Sequence, residues 1–217
     1  KEKADIGLAF DGDADRCFLI DEKGDLVNPS ALTALIAVRE LKSQPGSTII
    51  YNLISSKAVA EVITENKGVG LRSRVGHSYI KSLMAESGAI FGGEHSGHFY
   101  FADFWRADSG MLAALYALAE LMDSNKPLSN LLKPYNRYFS SGEINSKVKN
   151  VAKSIKAVEE KYQGKYQLDH LDGLTVTADS WWFNLRPSNT EPLLRLNVEA
   201  NTEKEMAIIT DAVLALL

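Results

Sequence analysis

The chain has 217 residues, 45% hydrophobic and 24% charged, the balance of a soluble globular protein rather than a disordered or fibrous one. Its 24 basic and 28 acidic residues leave a formal net charge of -4 with no Lys/Arg block, so there is no electrostatic basis for binding nucleic acid or a membrane surface. Apolar segments such as MLAALYALAELM fall short of the roughly 20 residues a membrane helix needs, and the one cysteine, Cys17, cannot form a disulfide within the chain, which favours a reducing, cytoplasmic setting.

Two apolar runs of strand length open the chain, Ile6 to Phe10 and Cys17 to Ile20, with the turn DEKGD after them. NPSALTALIAVRELK has apolar residues at helical spacing and Pro29 or Ser30 near its start. STIIYNL then reads as a strand, SKAVAEVITENKG as a helix closed by Gly68, GLRSRV as a strand, HSYIKSLMAESG as a helix closed by Gly88, and AIFGG as a short strand feeding a loop. DSGMLAALYALAELM completes the series as a helix. This alternation predicts an α/β domain with a mixed, largely parallel sheet and helices on both faces.

After DSNKPLSN the rhythm changes, which places a boundary near Lys126–Asn130. A helix around Val151 to Tyr162 precedes LTVTADSWWFNL, which reads as two strands or a hairpin, then the loop RPSNTEP and the strand LLRLNVEA. Thr202 and Glu205 have the spacing of a capping box for a last amphipathic helix. This part reads as a smaller α+β domain with an antiparallel sheet and helices.

Three loops carry chemistry. In DGDADR, Asp11, Asp13 and Asp15 alternate on a tight loop, so several oxygens can converge on one hard cation such as Mg²⁺ or Ca²⁺. An EF-hand does not fit, because the sixth loop position is Arg16 rather than Gly and the flanks are strands. A haloacid-dehalogenase-type phosphatase also begins D-x-D after a strand, but expects Thr or Val where Asp15 stands. A solvated acidic turn is the bland alternative. Arg16 suits an anion shared with the metal.

In GGEHSGHFYF, Glu94, Ser96 and His98 alternate between glycines at a strand end, where ligands of open α/β folds bind. A carboxylate and a hydroxyl on such a loop suit a polyhydroxylated ligand. His95, by alternation, points the other way. Upstream, RVGHSYIK places Arg74 and His77 at a strand-to-helix junction. In RPSNTEPLLR, Arg186, Ser188, Asn189 and Thr190 offer donors for a phosphate, and Arg195 adds charge from the next strand.

Taken together and in this order, DGDADR, VGHSYIK, GGEHSGHFYF and RPSNTEP resemble the α-D-phosphohexomutase superfamily, in its phosphomannomutase/phosphoglucomutase branch. Members of that family have four domains. The resemblance implies that residues 1–28 end the second domain and carry the metal loop, that 29–127 form the third, sugar-recognising domain, and that 128–217 form the fourth, phosphate-binding one. It implies reversible interconversion of hexose 1-phosphate and hexose 6-phosphate through a phosphoserine enzyme and a hexose 1,6-bisphosphate. Mg²⁺ would sit on Asp11, Asp13 and Asp15. Arg16, His77 and His98 would be catalytic, and Arg74, Glu94, Ser96, Arg186, Ser188, Asn189, Thr190 and Arg195 would bind substrate.

The family's nucleophilic serine lies in a TASHNP-like loop of the first domain, and no such loop occurs here; ISSK and SSGE lack the neighbouring His and Asn. The chain therefore resembles the C-terminal half of the enzyme, with the N-terminal domains as its missing partner and inactivity alone as the expectation. Where some relatives have a lysine proposed as acid/base, this sequence has Ile54. The alternative class is a non-catalytic module that binds a metal and a sugar phosphate.

Overall fold

The structure, a computed structural model, describes residues 3–188, 191 and 193–217. It divides into two compact units, Lys1–Arg137 and Tyr138–Leu217.

In the first unit, β1 (Gly7–Phe10) and β2 (Cys17–Ile20) form an antiparallel hairpin that pairs Phe10 with Cys17 and leaves DGDADR as its loop. The chain continues through α1 (Pro29–Ser43), β3 (Thr48–Asn52), α2 (Lys57–Glu65), β4 (Val69–Ser73), α3 (His77–Ser87), β5 (Phe91–Gly93), β6 (Phe99–Phe101), β7 (Ala107–Asp108), α4 (Gly110–Ser124) and α5 (Leu128–Leu132), ending in a 3-10 turn, Lys133–Tyr135. Local chemistry sets the helix starts. Asn28 caps α1 by accepting the Ser30 N–H ahead of a helix that opens on Pro29, and Ser109 caps α4 by accepting from Leu112.

The sheet order is β4-β3-β5-β6-β7, parallel across β4, β3 and β5 and antiparallel beyond. Strand alternation then sorts the core. Ile49 and Phe91 pack among residues of α1, α2 and α4, while Ile50 joins Ile80 and Met84 of α3 on the other face. Helices therefore cover both faces, as expected.

Two details depart from the expectations. The left-handed residue that ends α2 is Lys67 rather than Gly68. Gly68 is required instead by packing, since a Cβ there would lie 2.6 Å from a Leu41 methyl. The division between the units also falls beyond residue 127. Leu128 and Leu132 of α5 are buried in the first core, and Arg137 pairs with Glu61 and Glu65 of α2 at 3.0 and 2.6 Å.

The second unit holds β8 (Phe139–Lys147), α6 (Val151–Tyr162), β9 (Gln167–Asp169), β10 (Leu174–Thr177), β11 (Trp181–Pro187), β12 (Leu193–Ala200) and α7 (Glu203–Leu214). Its sheet is antiparallel, in the order β8-β12-β11-β10-β9. One face carries Leu174, Phe183, Leu185, Leu196 and Val198 against Val158 and Tyr162 of α6 and Val213 of α7. The other face carries Thr175, Asn184, Arg186, Asn197 and Glu199, polar side chains that are nonetheless buried. No helix among the described residues is long and apolar enough to cross a membrane.

Candidate active site

The acidic loop folds back on itself. Ala14 takes a left-handed conformation, the Ala14 N–H donates to the Asp11 carbonyl, and the Arg16 N–H donates to Asp11 Oδ1 at 3.2 Å. Asp11, Asp13 and Asp15 each place a carboxylate oxygen within 4.8 Å of the others. Arg16 Nε lies 3.2 Å from Asp11 and 3.9 Å from Asp15, so one guanidinium offsets part of the repulsion.

The remainder shows in the titration of the pair. Burial pushes the Asp11 carboxyl up, but the Arg16 N–H, the Asp15 side chain and the Arg16 charge carry it below the ordinary range. Burial, followed by the Asp11 and Asp13 charges, holds Asp15 above it against the opposing pull of His98. Asp15 Oδ1 is buried and, among the described residues, makes no hydrogen bond, with Arg16 Nε standing 3.9 Å away. An orphaned carboxylate oxygen among two other carboxylates is the donor set that a hard divalent cation completes.

The loop is locked to the β5–β6 turn. Arg16 and His98 form an antiparallel bridge, and the Cys17 N–H donates to the Gly97 carbonyl at 3.0 Å. Gly97 has φ +89°, and a Cβ there would lie 2.9 Å from the Phe18 ring. The start of α4 presses on the same loop, for a Cβ on Gly110 would lie 2.4 Å from the Arg16 carbonyl oxygen.

This brings His98 to Asp15, with Nδ1 3.7 Å from Oδ2. The closer contact of Nδ1 is Asp108 Oδ2 at 2.9 Å, while Lys81 Nζ holds Asp108 Oδ1 at 2.8 Å. A carboxylate can only accept from Nδ1, so the neutral ring carries its proton there and leaves Nε2 as the basic atom. Burial pushes Asp108 up, but its bonds to Lys81, its own backbone N–H and His98 hold it below the ordinary range. Asp15, His98 and Asp108 also lie close enough to hold a metal. The Lys81 ammonium already neutralises Asp108, however, and Nδ1 is used as a donor, which favours the aspartate trio.

Glu94 is 1% exposed. Its Oε1 accepts from the Gly76 N–H at 3.0 Å and from Asn52 Nδ2 at 3.4 Å, and its Oε2 accepts from the Tyr100 hydroxyl at 2.8 Å. The carboxylate thus ties the turn to the N-terminus of α3, where His77 follows Gly76. Arg74 and His77 are exposed, and the Arg74 guanidinium lies over the Tyr79 ring. Ser96 is half-buried on the turn. His95 does point away, its Nδ1 3.2 Å from Ser30 Oγ of α1. Ile54 is buried.

In the second unit Arg186 and Arg195 are opposite each other on β11 and β12, and Arg195 Nη2 donates to Ser188 Oγ at 3.3 Å. Asn189 and Thr190 lie outside the described residues. Sequence reasoning missed Asp108, Lys81, Asn52 and Tyr100 in the first unit and Glu143 in the second, which meets both arginines. Lys81 and Tyr100 lie inside VGHSYIK and GGEHSGHFYF without having been singled out there, and Asp108, Asn52 and Glu143 lie outside the loops read as carrying chemistry.

Residues 28–138 match the family model for phosphoglucomutase/phosphomannomutase alpha/beta/alpha domain III, and residues 143–216 match that for the phosphoglucomutase/phosphomannomutase C-terminal domain. The chain belongs to the phosphoglucomutase/phosphomannomutase family. It is 45% identical over 206 residues to a phosphomannomutase of Methanocaldococcus jannaschii, a match covering 95% of this chain and 46% of that one. A solved phosphoglucomutase/phosphomannomutase family protein of Burkholderia thailandensis superposes with a TM-score of 0.88 at 32% identity, over 99% of this chain and 46% of that one. The N-acetylphosphoglucosamine mutase of Aspergillus fumigatus, solved with GlcNAc-6P and magnesium, shares the fold at 15% identity and a TM-score of 0.73, over 96% of this chain and 48% of that one. The chain spans about half the length of the curated relatives it matches.

Proposed function

We propose that the complete gene product containing this chain is a phosphohexomutase that interconverts hexose 1-phosphate and hexose 6-phosphate through a phosphoserine and a hexose 1,6-bisphosphate. One observation carries the reading: a buried Asp15 oxygen without a hydrogen bond among the described residues, in a three-carboxylate loop, beside a histidine whose tautomer is fixed by Asp108. Phosphoryl transfer needs charge neutralisation and positioning more than covalent chemistry, and these residues supply both.

Asp11, Asp13 and Asp15 would hold Mg²⁺, which when bound offsets negative charge on a phosphoryl group. Arg16 holds the loop and contributes a guanidinium to the same charge. His98 exchanges the sugar hydroxyl proton at Nε2, oriented by Asp108. Ser96 offers a hydroxyl to the sugar. Glu94 offers the remaining acceptor site on Oε2 while keeping the turn in place. Arg74 and His77 provide exposed cationic and imidazole groups beside it. In the second unit Arg186, Ser188, Asn189, Thr190 and Arg195 make the phosphate loop.

The test is an Asp13→Asn variant of the complete gene product. Mg²⁺-dependent turnover of a hexose 1-phosphate should fall at least a hundredfold while the fold is retained. Turnover that survives with undiminished Mg²⁺ dependence would move the metal elsewhere.

A further inference from the structure

The two arginines of the second unit are an unfavourable pair. Arg186 and Arg195 face each other across neighbouring strands, and like charges so placed repel. Glu143 resolves this. It is opposite Asn197 on the edge strand β8, just after Gly142 at φ +67° and where the pairing with β12 slips between Asn197 and Glu199. Such irregularities re-aim side chains. Here the Glu143 carboxylate reaches across β12, with Oε2 2.8 Å from Arg186 Nη2 and Oε1 3.2 Å from Arg195 Nη1.

The clamp is incomplete. Arg186 is 5% exposed, yet its Nη1 is buried without a hydrogen-bond partner among the described residues, and so is Arg195 Nε. Closed structural ion pairs satisfy their donors, because buried unsatisfied ones are costly. This pair leaves Arg186 Nη1 and Arg195 Nε as donors that the Glu143 carboxylate does not satisfy, while Glu143 itself remains half-buried. A carboxylate beside a phosphate site also repels the incoming phosphate.

We infer that Glu143 is an internal counter-anion of the phosphate loop, holding Arg186 and Arg195 when no phosphate is present and weakening phosphate binding so that the ligand is released between half-reactions. The inference rests on the proposed phosphate role of Arg186. A mutase has a use for such a device, since one loop must release and rebind a sugar phosphate presented in two orientations.

The prediction runs opposite to that for a structural clamp. In ¹⁵N NMR titrations of this chain with inorganic phosphate at low ionic strength, Glu143→Gln should tighten binding by about tenfold, the scale of one unit charge a few ångströms from the anion. Arg186→Ala should abolish binding in either background. In the wild-type chain, phosphate saturation should also shift the Glu143 carboxyl ¹³C signal as its arginines let go, a readout that needs no variant. Phosphate binding that Glu143→Gln leaves unchanged or weakens, or a Glu143 signal indifferent to phosphate, overturns the counter-anion role alone. Saturable binding in neither wild type nor Glu143→Gln overturns it together with the phosphate assignment of Arg186.

Discussion

Arg16 and His98 are bridged through their backbones, so the acidic loop and the turn carrying Glu94, Ser96 and His98 are one piece of structure. The bridge is possible because two glycines let backbones approach. A methyl group at Gly97 meets Phe18 in an already strained conformation, and one at Gly110 meets the Arg16 carbonyl.

Gly97→Ala should therefore destabilise the first unit by about 1–3 kcal/mol, the usual cost of overpacking combined with a left-handed non-glycine residue. Gly110→Ala should weaken Mg²⁺ binding more than it lowers thermal stability, because the displaced atoms belong to the loop proposed to hold the metal. Calorimetry with and without Mg²⁺ separates the two. Equal loss of stability and unchanged metal affinity would show that α4 does not position the loop.

The raised Asp15 carboxyl gives a pH prediction with a definite sign. Its folded value exceeds the ordinary 3.8, so folding favours the protonated form, and the metal-free chain loses stability as pH rises through the elevated value. Asp15→Asn should raise the metal-free melting temperature at neutral pH by a few degrees, with little gain below the ordinary carboxylate range. It should also abolish the further rise that Mg²⁺ produces in wild type. A variant less stable than wild type at neutral pH without metal would contradict the electrostatic reading.

Asp108→Asn tests the tautomer argument. An amide can turn its NH₂ toward Nδ1 and favour the proton on Nε2, which removes the lone pair that the proposed proton transfer uses. In the complete gene product kcat should fall about a hundredfold or more with KM changed only a few-fold, by analogy with the loss of general acid–base catalysis. A matching rise in KM with kcat intact would make Asp108 a substrate-binding group instead.

Cys17 is 1% exposed, and burial pushes its thiol up to about 11. Alkylation of the folded chain near pH 8 should be much slower than in denaturant, and its rate should report opening of the β1–β2 hairpin. Equal rates in both conditions would show that the hairpin does not protect it.

Much of this architecture was legible in the sequence because period and punctuation agreed. The limits of α6 and the capping of α7 by Thr202 follow from spacing alone. The convergence of Asp11, Asp13 and Asp15 was legible because three alternating aspartates on a tight loop between two strands bring their carboxylates together. What escaped were elements too short to show a period, such as β6, β7 and β9, together with α5, hidden behind Pro127 in a polar stretch, and the nine-residue β8, whose sequence FSSGEINSK is too polar to show an apolar alternation. The escaped site residues share a cause. Asp108, Lys81 and Glu143 act on partners ten or more positions away, brought together by strand pairing and helix docking that no local pattern encodes. Glu94 stood out in its loop, but not the three protein donors it accepts from, because Asn52, Gly76 and Tyr100 come from three separate segments.

The central claim is that the acidic loop and its histidine serve phosphoryl transfer within a hexose phosphate. ³¹P NMR of the complete gene product incubated with mannose 1-phosphate or glucose 1-phosphate, Mg²⁺ and a trace of the matching 1,6-bisphosphate tests it most directly. The 1-phosphate signal should be replaced by that of the 6-phosphate, conversion should stop on chelation, and Mg²⁺ should restore it. Release of inorganic phosphate in place of the 6-phosphate, or saturable binding of both sugars with no conversion of either, would contradict it.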